Sequence, residues 1–184
     1  MAAVRHALEA AAVPYALAGS WASTLHGEPR QTNDIDIVGA FTPQTLARFL
    51  NHLGTDFYYD LESAREALAL NRPFNVIHRR FAFKFDFFPA HDDHGAAELD
   101  RRQTISIDIL DDAPLPVVTA EDILIAKLRW FRAGGEVATQ QWRDILGVLR
   151  AGAGSLDESY LQLWVRRLAL EELWDRARRE AAQP

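Results

Sequence analysis

"AGSWASTLHGEPRQTNDIDIV", Ala18 to Val38, places a Gly-Ser pair, an Arg-x-Thr and an Asp-x-Asp within 21 residues. The segment "DIDIVG" alternates, so Asp34 and Asp36 share one face of a predicted strand while Ile35 and Ile37 share the other. An unpaired carboxylate is costly away from water, so the aspartate face either meets solvent or holds something positive. Upstream, Gly19-Ser20 follows the apolar "YAL" and opens a helix predicted through about His26, with Ser20 as its cap. Free backbone N–H groups at such a strand-to-helix junction suit a phosphate. Two hard oxygen donors at i and i+2 suit Mg²⁺, which favours carboxylates combined with phosphate oxygens. A bare D-x-D is no more than a solvated edge; the combination describes a site for a nucleoside triphosphate.

Working outward, residues 2–12 read as an Ala-rich helix stopped by Pro14, and Pro43 to Leu53 as a helix with proline in its first turn. "TDFYYD" is a candidate strand and "LESAREALAL" a helix. "PFNVIHRR" and "FAFKFDFF" read as paired strands joined tightly around Arg79-Arg80, with Lys84, Asp86 and Phe88 on one face of the second. "TISIDIL" alternates again, which predicts Ile105, Ile107 and Ile109 inward and offers Asp108 as a further carboxylate. From Thr119, a predicted N-cap followed by Glu121 and Asp122 in the first turn, the chain becomes helical. "RAGGE" breaks that helix, "TQQWRDILGVLR" makes the next, and "AGAGS" (Ala151–Ser155) is a flexible linker candidate. Beyond it Leu161, Trp164, Val165 and Leu168 form an apolar stripe that Leu173 and Trp174 continue. Strands mixed with helices, then helices alone, predict an α+β (mixed α/β) fold: a mixed sheet flanked by helices, followed by a C-terminal helical segment.

The 184 residues fit one domain with a helical appendix. With no cysteine, disulfides and thiolate metal sites are excluded. The N-terminal run is interrupted by Arg5, His6 and Glu9, so it lacks a signal-peptide core, and no stretch approaches the roughly 20 apolar residues of a membrane span. The expected location is the cytoplasm. A net charge of −6 argues against broad electrostatic adhesion to nucleic acid, while leaving room for a local basic patch.

The pattern from Gly19 to Asp36 resembles the nucleotidyltransferase superfamily of DNA polymerase β-like fold. That pattern is Gly-Ser or Gly-Gly opening a helix, then hydrophobic-Asp-x-Asp-hydrophobic, then a third acid on a later strand. Here these are Gly19-Ser20, Asp34-Ile35-Asp36-Ile37 and, in third place, Asp86 within "KFDFF", with Asp108 as its rival. More narrowly, Arg30-x-Thr32-x-Asp34-x-Asp36 and "EDILIAKLRW…WRDIL" are similar to the AbiEii-type nucleotidyltransferase toxins and uncharacterised relatives. The resemblance spans about Tyr15 to Leu149 and implies a nucleotidyltransferase domain over 1–150, with 151–184 as a helical extension packed on it.

The resemblance implies transfer of NMP from an NTP to a hydroxyl acceptor: tRNA, protein or a small molecule such as an aminoglycoside. It implies Mg²⁺, or Mn²⁺, as two ions held by Asp34, Asp36 and Asp86, with Asp86 alternatively acting as base toward the acceptor hydroxyl. Gly19, Ser20 and Lys127 fall on nucleotide-binding positions, Asp144 follows Arg143 on the next helix, and Arg30 and Thr32 support the loop before the strand. A toxin role would add an antitoxin partner. Three converging carboxylates separate the enzyme from its alternative, a non-catalytic nucleotide- or partner-binding module on the same fold. The rival readings of single residues are plain: a Lys84–Asp86 pair, Lys127 as a surface lysine, "HDDH" (His91–His94) as a solvated turn, and Trp142, Trp164 and Trp174 as core.

Overall fold

The computed structural model describes residues 1–29, 31–110 and 113–183. In chain order its elements are α1 (Ala2–Ala10), β1 (Tyr15–Leu17), α2 (Gly19–His26), β2 (Asp34–Gly39), α3 (Pro43–His52), β3 (Phe57–Tyr58), α4 (Leu61–Ala69) and β4 (Phe74–His78). There follow β5 (Phe83–Pro89), α5 (Asp93–Arg101), β6 (Gln103–Ile105), β7 (Leu115–Val117), α6 (Ala120–Ala133), α7 (Thr139–Ala151), α8 (Glu158–Arg167) and α9 (Glu171–Ala181). The chain divides into two compact units, one of Met1–Ala18 with Thr32–Val118, the other of Gly19–Gln31 with Thr119–Pro184.

The first unit is built on a seven-stranded mixed sheet in the order β3-β4-β5-β2-β1-β7-β6. Its centre is the parallel pair β2–β5, in which Ile35 faces Phe85 and Ile37 faces Phe87. These four side chains are buried, as alternation requires of the apolar face of each strand. Phe87 packs against Phe49 of α3 at 4.9 Å between ring centroids and stacks on Phe74 of β4 at 5.1 Å. Helix α3 starts where Thr42 accepts from the Thr45 N–H and Thr45 returns the bond, with Pro43 at the first turn. It buries Leu46, Phe49 and Leu50, and α1, in which Val4, Ala7 and Leu8 are buried, packs on it. One face of the central strands is therefore an aromatic and aliphatic core, and the other carries the aspartates.

Two elements differ from expectation. The alternating "TISIDIL" forms a strand only over Gln103–Ile105, because β6 is an edge strand whose partner β7 offers three residues to pair with. The chain then turns, with the Leu110 N–H donating to the Ile107 carbonyl at 2.8 Å. Ile107 is buried, whereas Ile109 is 83% exposed and not inward. Strand β7, which contains Pro116, pairs in parallel with β1 through Leu17 and Val117 and antiparallel with β6. "HDDH" is a solvated turn only in its first half: His91 is exposed ahead of α5, Asp92 caps that helix by accepting from the Gly95 N–H, and His94 is buried within it.

In the second unit α6 is buried on nearly all sides, with Ile123, Leu124, Ile125, Leu128 and Phe131 in the core. Thr119 caps it as expected, and its hydroxyl also donates to Asp122 Oδ2 at 2.7 Å. The first-turn acids do more than complement the dipole. Glu121 accepts from the Asp157 N–H at the start of α8, and Asp122 accepts from the Tyr160 hydroxyl, so both tie α8 to α6. Trp142, Trp164 and Trp174 are core residues. Gly27, just past α2, is required by closeness: a Cβ there would lie 2.9 Å from the Ser23 carbonyl oxygen and from the Val148 nitrogen of α7. Among the described residues no helix is long and apolar enough to cross a membrane.

Candidate active site

The register of β2 and β5 builds the acidic face. Asp34 stands opposite Lys84 and Asp36 opposite Asp86, so alternation puts all four side chains on the face away from Phe85 and Phe87. The hairpin partner β4 adds Asn75 opposite Asp86. One carboxylate oxygen from each of Asp34, Asp36 and Asp86 can be chosen so that all three lie within 4.8 Å of one another, and all three residues are half-buried. Thr32, from the segment before β2, donates its hydroxyl to Asp34 Oδ1 at 2.8 Å and so orients that carboxylate. Asp108 falls in the turn after β6 and is no member of this group.

Lys84 sits within the acids. Its Nζ is 2.5 Å from Asp86 Oδ2 and 3.9 Å from Asp34 Oδ2. The hydrogen bond to Asp86, reinforced by the charges of Asp86, Asp34 and Asp36, holds the ammonium above the ordinary lysine value against the opposing cost of its partial burial. The pair that sequence offered as the plain reading of Asp86 thus exists, and it exists inside the carboxylate group. Asn75 is what sequence reasoning missed; pairing the strands around Arg79-Arg80 and counting back from Asp86 would have found it.

The donor set fits a hard divalent cation. Three carboxylate oxygens lie within 4.8 Å of one another, near enough to hold one ion among them, and no softer ligand stands in the group.

In the second unit Gly19 is the first residue of α2, with φ at +55°, a left-handed conformation natural to glycine. Ser20 lies inside the first turn and is not the cap; Ser23 donates its hydroxyl to the carbonyls of Gly19 and Ser20. Lys127 of α6 is buried and forms an ion pair with Asp144 of α7 at 2.7 Å, while Gln140 donates to the other Asp144 oxygen at 2.9 Å. The long connection between those helices does not keep the two residues apart, and Lys127 is no surface lysine. Arg30 lies outside the described residues.

No protein-family model matches the sequence, and no curated protein matches it significantly. Solved structures do. The chain superposes on ANT(2'')-Ia, solved in complex with adenylyl-2''-tobramycin, with a TM-score of 0.52 and 16% identity over 94% of this chain and 95% of that one. It superposes on an antigenic nucleotidyltransferase-like protein from Paracoccidioides brasiliensis with a TM-score of 0.54 and 17% identity, over 96% of this chain and 90% of that one. The mixed sheet and its flanking helices thus have the nucleotidyltransferase-like fold.

Proposed function

We propose that the chain is a metal-dependent nucleotidyltransferase that moves NMP from an NTP to a hydroxyl acceptor. The observation that carries this reading is the convergence of Asp34, Asp36 and Asp86, from two strands about 50 residues apart in sequence, on one face of the sheet. Gathering three half-buried acids leaves more negative charge than the one Lys84 ammonium offsets, and the likeness of the fold to nucleotidyltransferases supports a chemistry that uses a cation there.

In this reading Asp34, Asp36 and Asp86 hold Mg²⁺ or Mn²⁺, with Thr32 fixing the Asp34 rotamer. The ion, when bound, neutralises triphosphate charge and favours loss of the acceptor proton. The acceptor oxygen attacks the α-phosphorus, the bond to the bridging oxygen breaks, and pyrophosphate leaves. In the alternative to its role as ligand, Asp86 takes the proton of the acceptor hydroxyl. Gly19 and Ser20 bind phosphate through backbone N–H groups at the start of α2, and Lys127, the partner of Asp144, belongs to the nucleotide as well. Arg30 and Asp144 are supporting residues. By role, residues 1–150 are the catalytic domain and 151–184 the helical extension.

The acceptor belongs to one of three classes: tRNA, protein or a small molecule. ANT(2'')-Ia is solved in complex with adenylyl-2''-tobramycin, an adenylylated aminoglycoside, and the net charge of −6 favours a cationic acceptor of that kind. The motif likeness of Arg30-x-Thr32-x-Asp34-x-Asp36, Lys127 and Arg143-Asp144 to AbiEii-type toxins supports the other reading, a toxin with an antitoxin partner acting in the cytoplasm. The test is transfer from each of four α-labelled nucleotides, with Mg²⁺ or Mn²⁺, onto tRNA, cell protein and an aminoglycoside panel. Asp34→Asn and Asp36→Asn keep the fold and lower transfer by at least about a hundredfold, since each removes a charge that the transition state needs. Full activity in both variants overturns the reading, and the acceptor that gains label names the substrate class.

A further inference from the structure

Lys84 answers the charge of the site from inside it. Its Cα is in register with Asp34 and its stem rises from the strand that also carries Asp86, so the ammonium meets two of the three carboxylates without leaving the sheet face. Asp86 is the least accessible partner, its side chain 17% exposed, and it takes the shorter contact. Three carboxylates and one ammonium sum to −2, which one divalent cation neutralises. Two divalent cations would leave the same cluster at +2 before any substrate arrived. A compact ammonium with three donors is a fixed point charge of the kind that can stand in for an ion among oxygens.

We infer that the Lys84 ammonium occupies the place of a second cation at this site, so that the chain binds one divalent ion, at Asp34 and Asp36, with lysine in place of the other. The inference rests on the nucleotidyltransferase reading of the same carboxylates and departs from a two-ion site. Lys84 is then a positioning residue. It holds Asp86 oriented in the absence of any metal, and a chelator cannot remove it.

The test is titration of the full chain with Mn²⁺ without nucleotide, followed by the electron paramagnetic resonance signal of the free ion, with circular dichroism confirming the fold of each variant. Wild type binds one Mn²⁺ per chain, Lys84→Arg binds one, and Lys84→Met binds two. Two ions on wild type, or one on both wild type and Lys84→Met, overturn the inference while leaving a metal-dependent enzyme standing. Binding to Lys84→Met alone also overturns it, since lysine would then block the site. Binding to neither protein overturns the inference together with the metal reading beneath it. Should Lys84→Met fail to fold, the stoichiometry of wild type and of Lys84→Arg still decides, because two ions on either excludes the ammonium from the second place.

Discussion

Lys127 and Asp144 are each less than a tenth exposed, and their contact is 2.7 Å. Buried pairs of this kind add little over an apolar pair of the same shape, yet removing one partner strands the other charge. Lys127→Met is expected to destabilise the chain by about 3–5 kcal/mol, read as a shift of the urea midpoint. Lys127→Met combined with Asp144→Leu recovers most of that loss; if the single change costs under about 1 kcal/mol, water must reach Asp144 and the pair is not truly buried. A sequence shows that both residues exist at helical positions. It does not show that α6 and α7 point them at one another, because the intervening "RAGGEVATQQ" is compatible with many crossing geometries. The Asp34 and Asp36 pair was legible for the opposite reason: strand alternation alone puts i and i+2 on one face.

At the scale of elements, α7 and α9 are held by a polar contact at the edge of an apolar seam. Trp142 donates its indole N–H to Glu180 at 2.6 Å, Arg176 bonds the same carboxylate at 2.9 Å, and the Arg176 guanidinium lies 4.2 Å from the Trp142 ring centre. The hydrogen bonds from Arg176 and then Trp142 hold the Glu180 carboxyl below its usual value of 4.5, outweighing its slight desolvation. A depressed carboxylate stabilises the fold fully above its unfolded pKa and loses that contribution as pH falls through the folded one. Acidification from pH 5 downward is therefore expected to change Trp142 fluorescence and weaken the chain, and Glu180→Gln flattens that part of the stability profile. An unchanged profile in Glu180→Gln would mean that the contact contributes nothing. Helices with strong local signals, such as α3 with Pro43 and α6 with Thr119, were readable from sequence. Helix α5 was not, since "HDDH" reads as a turn until the fold buries His94.

For the whole molecule, the two compact units are each assembled from separate stretches of chain, with Gly19–Gln31 grouped with the C-terminal helices. The acidic cluster lies wholly in the first unit, and a cation that binds only the folded cluster stabilises the native state by mass action. At a hundredfold excess over Kd this is worth about 2.7 kcal/mol, or about 5–10 °C in Tm for a chain of this size. Mn²⁺ is expected to raise Tm by that amount and EDTA to reverse it, with no shift in Asp36→Asn; an equal shift in that variant would place the ion elsewhere. By itself the sequence determined the acidic face, the apolar face behind it, the hairpin that carries Asp86 and most helix starts, because each follows from a period of 2 or 3.6 residues or from a local cap. Tertiary structure alone decided that Asp86 and not Asp108 joins Asp34 and Asp36, that Lys84 stands among them, and that Lys127 meets Asp144. Those contacts depend on which strands pair, in what register, and how helices cross, and they are settled by burying shared apolar surface, which no local pattern encodes.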